Sequence, residues 1–345
     1  MKRIFLSVLL FMPLLALSQP GGRAVYKFLE LPASARAAAL GGVPITILDD
    51  DLALGFHNPS VLNPEMADWS SLSITDYYSD IYFGSALYAR ELENIGTASA
   101  GLQFIRYGDF ELADEFGNRL GNFTAGDYNL QVGLGRKYQN LHYGANLKFI
   151  YSSYESYTSV GAALDLGATY YNPKNELLGS IVLKNVGLQF SSYSGNGSEP
   201  LPFQIQAGFS KRLLHTPFRF HVILHDLQQF DLTFVNPERD TRFNLETGEE
   251  EVDEPPYSEK IFRHFIIGTE LLLNENFHIE FAYNHQRRKE MLLDSRKGLV
   301  GFSYGLGFRV NRFHIDFGRS TYHIAGATNH FTIATNFKQW TKKEN

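Results

Sequence analysis

The feature that most restricts this chain is strict two-residue alternation of apolar with polar or small residues, repeated along most of its length. Tyr128, Leu130, Val132 and Leu134 alternate with Asn129, Gln131 and Gly133. Tyr143, Ala145, Leu147, Phe149 and Tyr151 do the same around Asn146 and Lys148. The pattern recurs at Val160–Tyr170, Phe203–Phe209, Phe218–Leu224, Phe277–Tyr283, Val300–Phe308, Phe313–Phe317 and Phe331–Phe337. Successive side chains of a strand point to opposite faces, so this period predicts β-structure with one apolar face and one polar or small face. The balance of 28 Phe, 19 Tyr and 30 Gly against 4 Met favours strand over helix in the same way.

A soluble sandwich and an outer-membrane barrel share that signature, and two features separate them. The alternating segments run to about 10–14 residues, longer than the usual ~5–6 of soluble strands and suited to crossing lipid at a tilt. The joins also alternate in length. Glu93-Asn94, Gln139-Asn140, Asn172–Asn175, His215–Pro217, Asn274–Asn276 and Asn311-Arg312 are short; Gly108–Gly126, Ser191–Pro202, Gln228–Glu259 and Lys289–Lys297 are long. Short turns at one end and long loops at the other mark bacterial outer-membrane barrels, with the short turns periplasmic. The expected fold is therefore all-β: a transmembrane antiparallel barrel of about fourteen strands, starting near Ser71–Tyr78. Lipid cannot hydrogen-bond free backbone, so such a sheet must close on itself. An even strand count predicts both chain ends on the periplasmic side, with the long loops extracellular.

The first eighteen residues stand apart. Lys2 and Arg3 precede the apolar run Ile4–Leu15, and Ala16-Leu17-Ser18 supplies small residues for cleavage, so 1–18 reads as a signal peptide with Gln19 first in the mature chain. Its removal takes the net charge from −6 to −8. Residues 19–67 lose the alternation and become Ala/Gly-rich, predicting a hatch inside the lumen. Residues 68–338 form the barrel and 339–345 a periplasmic tail. In the hatch, Asp49, Asp50 and Asp51 are placed to cap a short helix ending near Gly55, because carboxylates favour helix N-termini. Asn58-Pro59 and Asn63-Pro64 force turns.

Composition removes several functions. With no cysteine there are no thiolate metal sites, Fe–S clusters or Cys nucleophiles. The acidic balance argues against nucleic-acid binding. Gly301-Phe302-Ser303-Tyr304-Gly305 matches G-x-S-x-G, but a nucleophile elbow needs a strand-to-helix turn and this match lies within a predicted strand. His221, His225, His278, His314 and His330 fall on the polar strand face without helical metal-ligand spacing, and read as solvated lumen lining. No cofactor or metal is expected. Gln228–Glu259 carries an acidic run from Glu246 to Glu254 after the apolar lead-in Phe230, Leu232, Phe234; it is either a solvated loop or a docking ledge.

The run from Ser34 to Pro64, SARAAALGG followed by DDDLALGFHNPSVLNP, resembles the N-terminal hatch of the FadL-like outer-membrane barrels, with Asn58-Pro59-Ser60 where that superfamily has Asn-Pro-Ala. The lead-in Phe28–Pro32 and the Leu62–Met66 segment make the resemblance closer to the PorQ-like barrels of the type IX secretion system, and the likeness spans nearly the whole chain. It implies a non-enzymatic barrel, itself monomeric, that holds a PorZ-like surface protein beside PorU- and PorV-like components in an attachment complex, surrounded by outer-membrane lipid and lipopolysaccharide. On that reading Phe116, Tyr193, Phe234 and Tyr257 in the long loops are the expected partner contacts. The alternative is passive transport of a hydrophobic small molecule, as in FadL-like barrels.

Overall fold

The computed structural model describes residues 24–193, 195, 197–234, 241–243, 250–252, 255–292, 298–323 and 326–341. Residues 1–18, expected to be a signal peptide, lie outside the described residues, as do Glu246–Glu249, Asp253 and Glu254 of the acidic run. Fourteen strands close into one antiparallel barrel: β1 (Trp69–Asp76), β2 (Tyr82–Leu92), β3 (Gly96–Ala113), β4 (Arg119–Tyr138), β5 (Leu141–Tyr154), β6 (Tyr157–Asn172), β7 (Leu177–Ser191), β8 (Gln204–Arg212), β9 (Phe218–Leu224), then β12 (Phe265–Asn274), β13 (Phe277–Asn284), β14 (Phe302–Val310), β15 (Phe313–His323) and β16 (Gly326–Asn336). Between β9 and β12, β10 (Thr241–Phe243) and β11 (Glu250–Val252) pair as a separate ribbon. Each barrel strand pairs with its neighbours along the chain, and β1 closes on β16 from Trp69↔Asn336 to Asp76↔Asn329.

The alternation sets the facing. Leu130, Val132, Phe220 and Ile279 are exposed on the outer wall, and Ile205, Phe302 and Ile315 share that face half-buried. Gln131, Gln206, His221, Glu280 and Asp316 are buried within the ring. The apolar face is thus the outer one, the inverse of a soluble sandwich and the arrangement lipid requires.

The two ends differ. Six joins, from β2–β3 round to β14–β15, are short and lie at one end; at Gln139 and Asn311 the chain turns with φ of 54°. At the other end the joins are less uniform than the sequence suggests. Gly108–Gly126 is not a loop: β3 and β4 continue to Ala113 and from Arg119, leaving only Asp114–Asn118 as a turn. The alternation is interrupted there by Gly108, Gly117 and Gly121 at positive φ, so the hairpin persists where the side-chain pattern does not. Lys289 lies in the helix His285–Met291, and 293–297 fall outside the described residues. At 20 residues β4 exceeds the ~10 needed to cross lipid, so this hairpin stands above the rim.

Candidate functional site: the N-terminal segment inside the barrel

The protein's core lies in the lumen, and the N-terminal segment builds it. At the long-loop mouth Val25 N donates to Pro200 O at 3.0 Å, and Phe28 and Leu29 pack with Phe83, Ile105, Ile150 and Leu201. The chain then descends to the short-turn end, where Asp68 N donates to Ala89 O and Phe337 N donates to Asp68 O at 2.9 Å. Asp68 also pairs with Lys338 at 2.6 Å, which holds its carboxyl below the usual range. The expectation that both ends share one mouth is therefore corrected. The barrel ends do meet at the short-turn mouth, but the segment crosses the lumen once more, leaving Ala24 at the opposite mouth from Lys338–Thr341.

Local chemistry explains each turn of the descent. Ser34 Oγ accepts from Ala37 N at 3.1 Å and caps helix α1 (Ala35–Ala39). Gly41 and Gly42, at φ of 85° and 98°, end it. Asp51 Oδ1 accepts from Ala53 N at 3.0 Å and caps the helical turn Leu52–Phe56. Asn58 Nδ2 donates to Ile45 O at 2.9 Å and Thr169 Oγ1 at 3.2 Å, while its Oδ1 accepts from Ser60 N and Oγ at 3.0 and 2.6 Å. Asn58, Pro59 and Ser60 are buried, and no polar atom of the Asn58 side chain goes unpaired.

The wall is shaped to receive this segment. Gly135, Gly144 and Gly167 are register partners across β4, β5 and β6. A Cβ on Gly144 would fall on the Pro59 carbonyl, one on Gly167 on Asn58 Oδ1, and one on Gly135 within 2.5 Å of the Leu62 side chain. Opposite them, Gly305 and Gly318 pair across β14 and β15 and leave room for Ala39 and Ala35 of α1. Glycine costs a strand stability and marks close approach of another backbone. The segment's small alanines and the wall's glycines are two halves of one contact.

Charge fixes the same contact. Arg36 is buried, with Nη2 2.6 Å from Glu270 Oε1 on β12 and 2.8 Å from Asp49 Oδ2, and Nη1 3.4 Å from Asp51 Oδ2. Arg219 Nη1 reaches Glu270 Oε2 at 2.8 Å and Asp49 Oδ2 at 3.6 Å. Asp50 pairs with Arg309. Thus only Asp51 caps, whereas Asp49 and Asp50 form ion pairs, a role the sequence reading did not assign. Around this centre a cavity of about 470 Å³ has charged residues Arg36, Asp49, Asp50, Arg309 and Asp316 and also Leu52, Leu272 and Phe308 in its lining, with His278 and His314.

His221, His225 and His330 are buried and hydrogen-bonded rather than solvated, whereas His278 and His314 line the cavity. His221 Nε2 lies 2.9 Å from Glu270 Oε2 and its Nδ1 2.9 Å from Thr46 Oγ1; His330 bonds Thr75 and Thr328; His278 sits 2.8 Å from Glu280; His225 pairs with Asp226; His314 stacks on Trp69. Among the described residues no group of three or more His, Asp or Glu is placed to hold a metal. Gly301–Gly305 opens β14 within the sheet, where Gly305 makes room for α1.

Of the loop aromatics, Phe116, Phe234 and Tyr257 are 82%, 81% and 76% exposed. Tyr193 differs: its hydroxyl donates to Ser152 Oγ at 2.5 Å and its ring packs against Tyr154, beneath the β7–β8 join. It belongs to the lumen cluster of Tyr26, Tyr107 and Tyr154 rather than to a surface. The aromatic pattern of that join does not distinguish the two roles.

A closed antiparallel barrel of fourteen strands with an apolar exterior defines the class: this is the fold of outer-membrane barrels. No protein-family model and no curated protein sequence matches the chain. Solved structures similar to it include the Ralstonia pickettii toluene transporter TbuX, at 10% identity over 89% of this chain and 97% of that one, with a TM-score of 0.46. A Pseudomonas aeruginosa FadL homologue is similar at 8% identity over 88% and 98%, with a TM-score of 0.49. A mutant of the monoaromatic hydrocarbon channel TodX is similar at 14% identity over 89% and 97%, also with a TM-score of 0.49. At these identities the likeness concerns fold alone.

Proposed function

We propose that the chain is a non-enzymatic outer-membrane barrel, closed by its own N-terminal segment, that presents its long-loop end outside the cell as a docking platform for a surface protein. The observation that carries this is the contrast between the two regions. The lumen is packed by apolar clusters, glycine seats and buried ion pairs, whereas the loop end displays Phe116, Phe234, Tyr257, Phe230 and Leu120 in the open. Aromatics dominate the binding energy of protein interfaces. The short turns offer too little surface for a standard interface of about 800 Å² per partner. The resemblance to PorQ-like barrels supports a PorZ-like partner with PorU- and PorV-like neighbours. Replacing 228–259 by a short Gly/Ser turn should leave the barrel in the membrane and release the partner into the medium. Retention of the partner, or its loss on altering Asn172–Asn175 instead, would contradict the reading.

A second reading is passive passage of a small hydrophobic molecule, the role for which TbuX and TodX are named. A specific feature favours it: an apolar groove of about 380 Å³ in the outer wall among Leu72, Ile74, Ala86, Leu102, Phe104 and Phe331. Toluene uptake by cells carrying the barrel but no surface partner separates the two readings. Uptake above that of barrel-free cells supports passage, and equality supports the platform.

A further inference from the structure

The outer wall of β12–β14 carries an aromatic belt at the long-loop end. Tyr283 on β13 is the register partner of Phe302 on β14 and of Ile267 on β12, and the Tyr283 and Phe302 rings lie 4.9 Å apart. Phe281 adds to the same face, 5.7 Å from Phe302, with Ile267 and Tyr304 exposed beside it. Aromatic girdles of this kind sit where hydrocarbon meets headgroups.

Immediately above the belt lies a concentration of positive charge. Helix α2 (Tyr257–Phe262) and helix α3 (His285–Met291) meet there, the Phe262 ring lying 6.0 Å from the ring of His285 and 6.1 Å from that of Phe265. His285 Nδ1 lies 3.1 Å from the Tyr283 hydroxyl, which fixes this side of α3 on the outside of the barrel. Lys289 is one turn further along α3 on the same face. Arg287 points the other way, to Gly41 O and Ser320 Oγ in the lumen. One carboxylate answers the outward cluster: Glu259 lies 3.3 Å from His285 Nε2, 3.1 Å from Lys289 Nζ and 3.4 Å from Arg263 Nε. Lys260 is paired with Asp231, and Glu290 is held by Gln286 on an adjacent face. Among the described residues, two permanent cations and a histidine thus share one acid, and Lys289 is exposed.

We infer that this rim is a binding site for the phosphate of a lipid A headgroup, with Lys289 as its donor and the Ile267, Phe281, Tyr283 and Tyr304 wall as the bed for its acyl chains. The charge surplus selects a phosphate, which lysine binds as a point charge. The belt beneath selects a phosphate that carries acyl chains, since a free anion gains nothing from it. The choice of lipid A over a glycerophospholipid rests on the proposed outward direction of the long-loop end. The site does not depend on any surface partner.

The test is native mass spectrometry of the purified full-length barrel in detergent, titrated separately with bisphosphorylated lipid A, its dephosphorylated form, phosphatidylglycerol and inorganic phosphate. The expected result is a lipid A adduct, about tenfold weaker for dephosphorylated lipid A and about tenfold weaker in the variant Lys289→Gln. Lys289→Arg should keep the adduct, as should Arg90→Gln, which removes an exposed outer-wall cation at the short-turn end. Heat-dependent mobility on gels checks that each variant is folded. Should that variant misfold, Lys289→Glu is expected to show the same loss. Equal binding by the folded variant or by the dephosphorylated lipid would overturn the site. Equal binding of phosphatidylglycerol would overturn the assignment to lipid A, and of inorganic phosphate the assignment to a lipid. Because the assay contains no partner protein, loss of the platform reading leaves its outcome unchanged.

Discussion

Arg36 of the N-terminal segment and Glu270 of β12 form a buried ion pair, 2.6 Å between Nη2 and Oε1, across 234 positions of sequence. It ties the lumen filling to the wall. Removing Arg36 takes a cation from Glu270, Asp49 and Asp51 at once, but Arg219 and His221 still face Glu270, so the cost should lie below the roughly 3–5 kcal/mol of an uncompensated buried charge. Arg36→Ala should therefore lower the midpoint of urea unfolding in micelles well below that of wild type. Replacing Glu270 by Leu as well should not recover the loss, because Asp49 and Asp51 still lack Arg36 while Arg219 and His221 lose Glu270. An Arg36→Ala protein with an unchanged midpoint would show that the pair does not hold the segment.

The glycine seat gives a second prediction. Gly144→Leu or Gly167→Leu drives a side chain into the Asn58-Pro59-Ser60 turn. Overpacking of this kind costs about 1–3 kcal/mol, and here the segment can yield while the barrel cannot. These variants should still migrate as heat-modifiable barrels, yet expose the N-terminal segment to added protease. Gly298→Leu, where a Cβ meets nothing within 4 Å, should leave protease resistance as in wild type.

These two contacts show what the sequence makes legible and what it hides. Alternation at Tyr128–Leu134 and Phe277–Tyr283 places the strands and their outward faces, because lipid imposes period two over long segments. The same alternation marks Gly135, Gly144, Gly305 and Gly318 only as small inward positions. Their meaning depends on which residues face them across the lumen, and that is set by closure of the ring. Asp49-Asp50-Asp51 is similar: a run of acids announces caps, but its ion partners Arg36, Arg219 and Arg309 come from distant strands and from the segment itself. The aromatic at position 193 resembles the one at 116, and only the fold of the β7–β8 join turns it inward.

Facing can be tested through charge. Val132 is exposed on the outer wall and Gln131 is buried in the lumen. A cation facing the lipid midplane costs about 2–4 kcal/mol. Val132→Arg should thus impair folding into bilayers more than the neutral Val132→Ala, whereas Gln131→Ala should fold at the wild-type yield. Equal yields for Val132→Arg and Val132→Ala would contradict the register of β4.

The extra crossing of the lumen predicts opposite mouths for the two ends, and the absence of cysteine makes this simple to read. In intact cells, Ala24→Cys and Phe116→Cys should both react with a membrane-impermeant maleimide, and Lys338→Cys should react only after the outer membrane is opened. Labelling of Lys338→Cys together with protection of Phe116→Cys would reverse the proposed orientation.

Conductance across a planar bilayer tests the closed-platform account most directly. The full mature chain should carry no steady current, because the segment from Ala24 to Pro64 occupies the lumen. A chain whose signal peptide is joined directly to residue 65 should still insert as a barrel and open a steady conductance. A wild-type barrel that conducts as the shortened one does would contradict the account, since a lumen open in the intact protein belongs to a channel and not to a closed platform.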